Sequence, residues 1–132
     1  MSQPTFHNMI SGPAKVGPFS HAVECNGWIQ LTGQMPTDPL DDTMPLPNGV
    51  IKQTERVMDN LVIVLRGLEL NLTHVFSCRV YLTEFDRDYE AMNSVYKSYF
   101  SPARLPARTC IGVNGLARSS LIEIDAVAIR PS

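Results

Sequence analysis

The chain has 132 residues, 44% of them hydrophobic and 18% charged, with 8 Gly and 10 Pro, which excludes a disordered, collagen-like or low-complexity polymer. At this length about two thirds of the unfolded surface can be buried, so a single domain over 1–132 can build a core without metals or disulfides. With 11 basic residues against 13 acidic ones, the net charge of −2 sets up no field for a phosphate backbone or an anionic membrane, and neither kind of partner is expected.

In chain order, the opening ten residues lack a charged stretch followed by an apolar run, so no export signal is expected. Gly17-Pro18-Phe19 predicts a turn, and residues 20–25 and 28–33 read as two short strands joined at Asn26-Gly27, the strongest short hairpin signal. Residues 36–48 are rich in Pro, Asp and Thr and predict one surface loop. Over 51–68, Ile51, Thr54, Val57, Met58, Leu61, Val64, Leu65 and Leu68 recur at the spacing of an amphipathic helix, and Asn71 is placed to cap its exit. The longest apolar run, Leu61 to Leu65, is far too short to span a bilayer.

Residues 74–82 alternate Phe76, Cys78, Val80 and Leu82 with Val75, Ser77, Arg79 and Tyr81, which predicts a strand covered on both faces. Asp86 is placed to cap a second helix carrying Tyr89, Met92, Tyr96 and Tyr99 or Phe100, stopped by Pro102. Two strands, 107–113 and 121–129, close the chain around a turn at Asn114-Gly115. The order β-β-α-β-α-β-β predicts an α+β fold: a single mixed β-sheet with two helices packed on one face. In the last strand Ile122, Ile124, Ala126 and Ala128 would face the helices, with Glu123, Asp125, Val127 and Ile129 opposite. Arg108 with Cys110, and Arg79 with Tyr81, are expected on that opposite face too. Such a mixed face, neither solvated nor an ordinary core, predicts a homo-oligomer.

For chemistry, the best constellation is Arg108 followed by Glu123, on strands that form a hairpin or sit at an interface. A structural ion pair is the commoner meaning of such a pattern. The alternative uses Arg108 as a planar donor for a substrate carboxylate and Glu123 as a general base or acid for water. His7, His21 and His74 have no metal-ligand spacing, and Asp38, Asp41 and Asp42 lack the rest of a calcium loop, so no metal is implied. Cys25, Cys78 and Cys110 form no CxxC pair and fit reduced thiols in a cytoplasmic setting, where the sequon Asn71-Leu72-Thr73 goes unused. Hydrolase and nucleotide motifs such as GxSxG, the P-loop and GxGxxG are lacking. A Cys110 nucleophile has no evident His partner, so a packed thiol is the simpler reading.

The string Pro106-Ala107-Arg108-Thr109-Cys110-Ile111-Gly112-Val113, with Leu121-Ile122-Glu123-Ile124-Asp125-Ala126-Val127-Ala128, resembles the C-terminal motif of the RidA (YjgF/YER057c/UK-type) imine deaminases. The likeness extends through Val16-Gly17-Pro18-Phe19, Thr32-Gly33-Gln34-Met35-Pro36, Asp59-Asn60, Asn93 and Tyr96, covering about Gly12 to Ile129. The resemblance implies a chorismate-mutase-like fold and a homotrimer with a central β-barrel, its helices outside and its active sites between subunits. It implies hydrolysis of 2-imino acids such as 2-iminobutanoate and 2-iminopropanoate to 2-oxo acids and ammonia, without a cofactor. Arg108 would bind the substrate carboxylate, backbone groups of Gly33 and Cys110 would orient the substrate, and Glu123 would activate water. Phe19, Thr32, Asn93 and Tyr96 would complete the substrate pocket.

Two positions depart from the pattern. Phe19 stands where many members have Tyr, and Thr32 where many have Ser, which makes the pocket more apolar and opens the choice of imine. Deamination of another enamine, such as 3-aminoacrylate, is the alternative on the same residues. A non-enzymatic, chaperone-like or RNA-directed endoribonuclease role ranks last, because the acidic balance gives no footprint for RNA.

Overall fold

In the computed structural model, which describes residues 3–132, the chain opens with a strand the sequence reading did not anticipate, β1 (Thr5–His7), paired antiparallel with β2 (Ala22–Cys25). The first two positions of the expected 1–132 domain lie outside the described residues. Asn26 and Gly27 both take positive φ, 54° and 82°, the requirement of a tight primed turn, and they join β2 to β3 (Trp28–Gln34) as predicted. The stretch 35–48 holds no regular element.

Helix α1 (Gly49–Gly67) buries Val50, Thr54, Val57, Met58, Leu61, Val64 and Leu65 along one stripe. Ile51, counted with that stripe above, is exposed, and the buried face admits the polar Gln53 and Asn60 instead. The helix ends through Leu68, whose N–H reaches Val64 and Leu65, and through Glu69 at φ 61°. Asn71 therefore does not cap α1. It caps the next single turn, 72–74, where its side chain accepts from Thr73 N–H and His74 Nδ1 accepts from Asn71 N–H.

Strand β4 (Val75–Leu82) leads to helix α2 (Phe85–Lys97). Glu84, not Asp86, occupies the capping position, and Asp86 lies inside the first turn, where its charge suits the helix dipole. Tyr99 falls beyond α2 and donates to the Glu55 carbonyl and to Asp59 at 2.8 Å, tying the two helices together. Strands β5 (Ala107–Gly112) and β6 (Ile122–Ile129) complete the chain.

All six strands form one sheet in the order β1-β2-β3-β6-β4-β5, with β4 and β5 parallel and every other pair antiparallel. Both helices lie on one face, so the predicted α+β architecture of two helices on a single mixed sheet holds. The core is Ile29, Leu31, Cys78, Val80, Leu82, Ile122, Ile124, Ala126 and Ala128 against the apolar stripes of the helices. β5 and β6 are not a hairpin: β6 pairs with β3 and β4, and β5 is left as the free edge beyond β4. The second face of β4 is open in the single chain. Trp28 and Phe76 stack edge to face on it at 5.1 Å, close to Ile129, with Trp28 59% exposed and Ile111 46% exposed.

Candidate functional site

Alternation along β6 puts Glu123 and Asp125 on the open face, as expected. Register then decides the rest. Arg79 pairs with Asp125 and Tyr81 with Glu123, so these four share the open face. Arg108 pairs with Cys78 and Cys110 with Val80, both core residues, so Arg108 and Cys110 point to the helix side. The expectation that they share a face with Glu123 is corrected by this register. Within one chain the eight anticipated residues fall into two groups on opposite sides of the sheet.

The first group lines a cleft of about 500 Å³ that includes Phe19, Thr32, Gly33, Arg79, Glu123 and Asp125. Its geometry is held from below by α1: Gln53 donates to the Pro47 carbonyl and accepts from the Leu121 N–H at 2.8 Å, fixing the entry to β6 just before Glu123. The Glu123 carboxyl lies directly on Gly33, where a Cβ would collide with Oε2 and come within 3.0 Å of the carboxyl carbon. Gly33 sits in an irregularity of the β3–β6 pairing between Leu31 and Gln34, and its bare backbone is what admits the carboxyl. Thr32 donates its hydroxyl to the Ser20 carbonyl at 2.5 Å, pinning the segment that carries Phe19 rather than presenting a free hydroxyl.

Glu123 and Asp125 are in unlike states. Asp125 accepts from Arg79 Nε at 2.9 Å and from the Tyr81 hydroxyl at 3.1 Å. Glu123 accepts no hydrogen bond from any described side chain. Burial, and secondarily the Asp125 charge, raise the pKa of Glu123 above the ordinary carboxylate value. An uncommitted carboxyl of raised pKa beside an open cleft can take and return a proton.

The second group lines a recess of about 270 Å³ between α2 and β5, formed by Asn93, Tyr96, Lys97, Leu105, Pro106 and Arg108. The Arg108 guanidinium stands 4.9 Å from the Tyr96 ring centroid and 5.9 Å from that of Tyr89, with Nη2 3.4 Å from the Tyr89 hydroxyl. Aromatic stacking fixes its plane but consumes few of its donors. No carboxylate among the described residues pairs with it. The Asn93 Oδ1 is buried beside it without a side-chain partner, and the Tyr96 hydroxyl lies against the Cys78 thiol, its pKa raised chiefly by burial. A guanidinium so placed has donors left that can receive a planar anion. Cys110, one face position further along β5, is half-buried against the core, and burial raises its thiol pKa, which gives it no thiolate character.

His7, His21 and His74 are each engaged locally: His7 with Glu24 at 2.9 Å, His21 with the Pro13 carbonyl at 2.7 Å, and His74 in its turn. Among the described residues no cluster of three metal-ligating side chains occurs, and no helix is long and apolar enough to cross a membrane. Sequence reasoning did not single out Gln53 or Lys97. A polar residue inside the apolar stripe of α1 was the available signal for Gln53.

A two-helix layer on this sheet order, with a glycine under a carboxyl and an arginine on the edge strand, defines a protein class. The chain belongs to the family described as endoribonuclease L-PSP, matched over residues 9–130, the RidA (YjgF) grouping that its motifs resemble. It is similar to the protein DfrA of Myxococcus xanthus, 42% identical over 120 residues, covering 89% of this chain and 88% of that one. It is also similar to the 2-iminobutanoate/2-iminopropanoate deaminase of Mus musculus, 33% identical, covering 89% and 85% of the two chains. Among solved structures, yeast YEO7 superposes with a TM-score of 0.89 at 29% identity, covering 98% of this chain and 100% of that one.

Proposed function

We propose that the protein is a homotrimeric deaminase that hydrolyses small 2-imino acids to 2-oxo acids and ammonia in clefts between neighbouring subunits. The observation that carries this reading is Arg108: a half-buried guanidinium, stacked on Tyr96, with no carboxylate among the described residues to neutralise it. Such a group is held ready for the carboxylate of a ligand. The deaminase relative and the two-sided distribution of the site support the assembly, because β5 is a free edge and the open face of the sheet carries exposed Trp28, Phe76, Ile111 and Ile129 beside its charged residues. A neighbouring copy that brings its Glu123 cleft to the Arg108 recess would complete one site from two halves.

In that site Arg108 clamps the substrate carboxylate, with Asn93 and Tyr96 walling the recess and the backbone at Cys110 and Gly33 orienting the imine. Phe19 and Thr32 close the wall beside Glu123. Glu123 takes a proton from water as its oxygen adds to the imine carbon, giving a tetrahedral carbinolamine. That proton passes to the imine nitrogen; a second then moves from the carbinolamine hydroxyl through Glu123 to the amino nitrogen as the C=O forms and the C–N bond breaks, releasing ammonia and the 2-oxo acid. An imine carbon is electrophilic already, so a placed water and one proton shuttle suffice, and no cofactor enters the sequence of steps.

The test adds purified protein to a threonine dehydratase reaction and follows the oxo acid formed from the transient imine. Acceleration by the wild type, lost with Arg108→Ala, is the expected result, and equal rates for both overturn the assignment. The same assay on 3-aminoacrylate measures the alternative enamine. The family description also names an endoribonuclease, and the net charge of −2 argues against that activity here. RNA cleavage by the purified protein at physiological salt would reverse the ranking.

A further inference from the structure

The Arg108 recess does not end at Arg108. It shares Lys97 and Leu105 with an adjoining groove of about 510 Å³ that runs past the exit of α2 along Phe100 and Pro102. The recess alone, about 270 Å³, is small beside the roughly 300–1,000 Å³ of ordinary small-ligand sites, and the groove brings the space into that range. A one- or two-carbon side chain would leave the groove empty.

The chemistry of the extension is one-sided. Neither cavity is lined by an acidic residue. Lys97 is the last residue of α2, and the positions one turn before it are Asn93 and Ser94, so the helix offers it no carboxylate partner. No ion pair or hydrogen bond engages its ammonium among the described residues. The groove's two serines donate inward, Ser94 to the Glu90 carbonyl and Ser98 to the Val95 carbonyl, which leaves Lys97 as the one cationic donor there. Two cations thus border the joined space, Arg108 in the recess and Lys97 where recess and groove meet, with apolar walls at Leu105, Phe100 and Pro102.

We infer that Lys97 is a specificity-determining residue, and that the paired cations select 2-imino acids bearing a second carboxylate at the far end of the side chain. This rests on the deaminase reading for the chemistry, but the binding preference stands apart from it. The 1-carboxylate sits on Arg108, the methylenes lie along Leu105, and the distal carboxylate reaches Lys97.

The experiment compares the imines of glutamate and of 2-aminobutanoate, each generated in place by an amino-acid oxidase, as substrates for the wild type, Lys97→Gln and Lys97→Glu. In parallel, titration calorimetry measures 2-oxoglutarate and 2-oxobutanoate binding to the same proteins. The ratio of kcat/KM for the dicarboxylic over the monocarboxylic imine is expected to fall about threefold to tenfold in Lys97→Gln and further in Lys97→Glu, and to fall with added salt in the wild type. The calorimetric preference for 2-oxoglutarate should fall in step. Hydrolysis of both imines at a ratio that the substitutions leave unchanged overturns the inference and leaves the deaminase reading standing. Lys97-dependent binding of 2-oxoglutarate without hydrolysis of either imine keeps the inference and overturns the reading. Hydrolysis of neither imine together with binding of neither acid overturns both.

Discussion

Arg108 and Glu123 leave the same sheet on opposite sides. Their strands are separated by β4, whose Cys78 pairs with Arg108 on the helix face and whose Tyr81 pairs with Glu123 on the open face. A single chain therefore cannot bring both groups to one small molecule, and any chemistry that needs both needs two copies.

Arg108→Ala and Glu123→Gln should each lower kcat/KM by about a hundredfold or more, because the first loses carboxylate binding and the second water activation in every cleft. Mixed in equal amounts and reassembled, the two inactive variants should recover about a quarter of the wild-type rate, the fraction of subunit pairs that unite an intact Arg108 with an intact Glu123. Steady-state assay of the co-refolded mixture reads this directly. A mixture no more active than its components would place both groups in one subunit's site or remove one of them from the reaction.

The pKa of Glu123 is raised in the folded chain, first by burial and then by Asp125. Between the unfolded value and the raised one, the folded state holds the proton more tightly than the unfolded state, so stability falls as pH rises through that window. Glu123→Gln removes this proton difference. Its thermal midpoint should decline less from acid to neutral pH than that of the wild type, and calorimetry over that range measures the two slopes. Parallel slopes would mean the carboxyl titrates normally.

Gly33→Ala places a Cβ against Glu123 Oε2. Since Gly33 has no positive φ, the backbone tolerates Ala and the added methyl must displace the carboxyl. A drop of about tenfold or more in kcat/KM with a nearly unchanged thermal midpoint is expected, because an ångström of misplacement is costly for an attacking water. Full activity in this variant would show that Glu123 works from another position.

Asn60, fully buried in α1, donates to the Met35 and Thr37 carbonyls at 3.0 and 2.9 Å and so anchors the start of the long loop. Asn60→Ala should cost about 1–3 kcal/mol by leaving buried carbonyls without donors. Denaturant titration gives the loss, and limited proteolysis should cut within 36–48 sooner than in the wild type.

Much of the fold was legible because its signals are local. Asn26-Gly27 demands positive φ at both turn positions, the apolar stripe from Val50 to Leu65 repeats at helical spacing, and Ile122 to Ala128 alternates at strand spacing. Of the candidate site, Arg108 and Glu123 stood out as residues and the others came from the family resemblance, whereas β1, Gln53 and the free charge of Lys97 were not legible, since each acquires meaning only from a partner distant in sequence or from the lack of one.

What the sequence determined by itself is where β2 to β6 and the two helices lie and which side chains alternate together. It could not determine which side of the sheet Arg108 faces. Alternation says only that Arg108 and Cys110 agree with each other, and their common direction depends on the strand beside them. Adjacent strands in chain order invite a β5–β6 hairpin, but β4 inserts between them and sets Arg108 level with the buried Cys78. Pairing register is a nonlocal property, fixed by which arrangement buries the most apolar surface, and here it divides one set of functional residues between two faces of a single sheet.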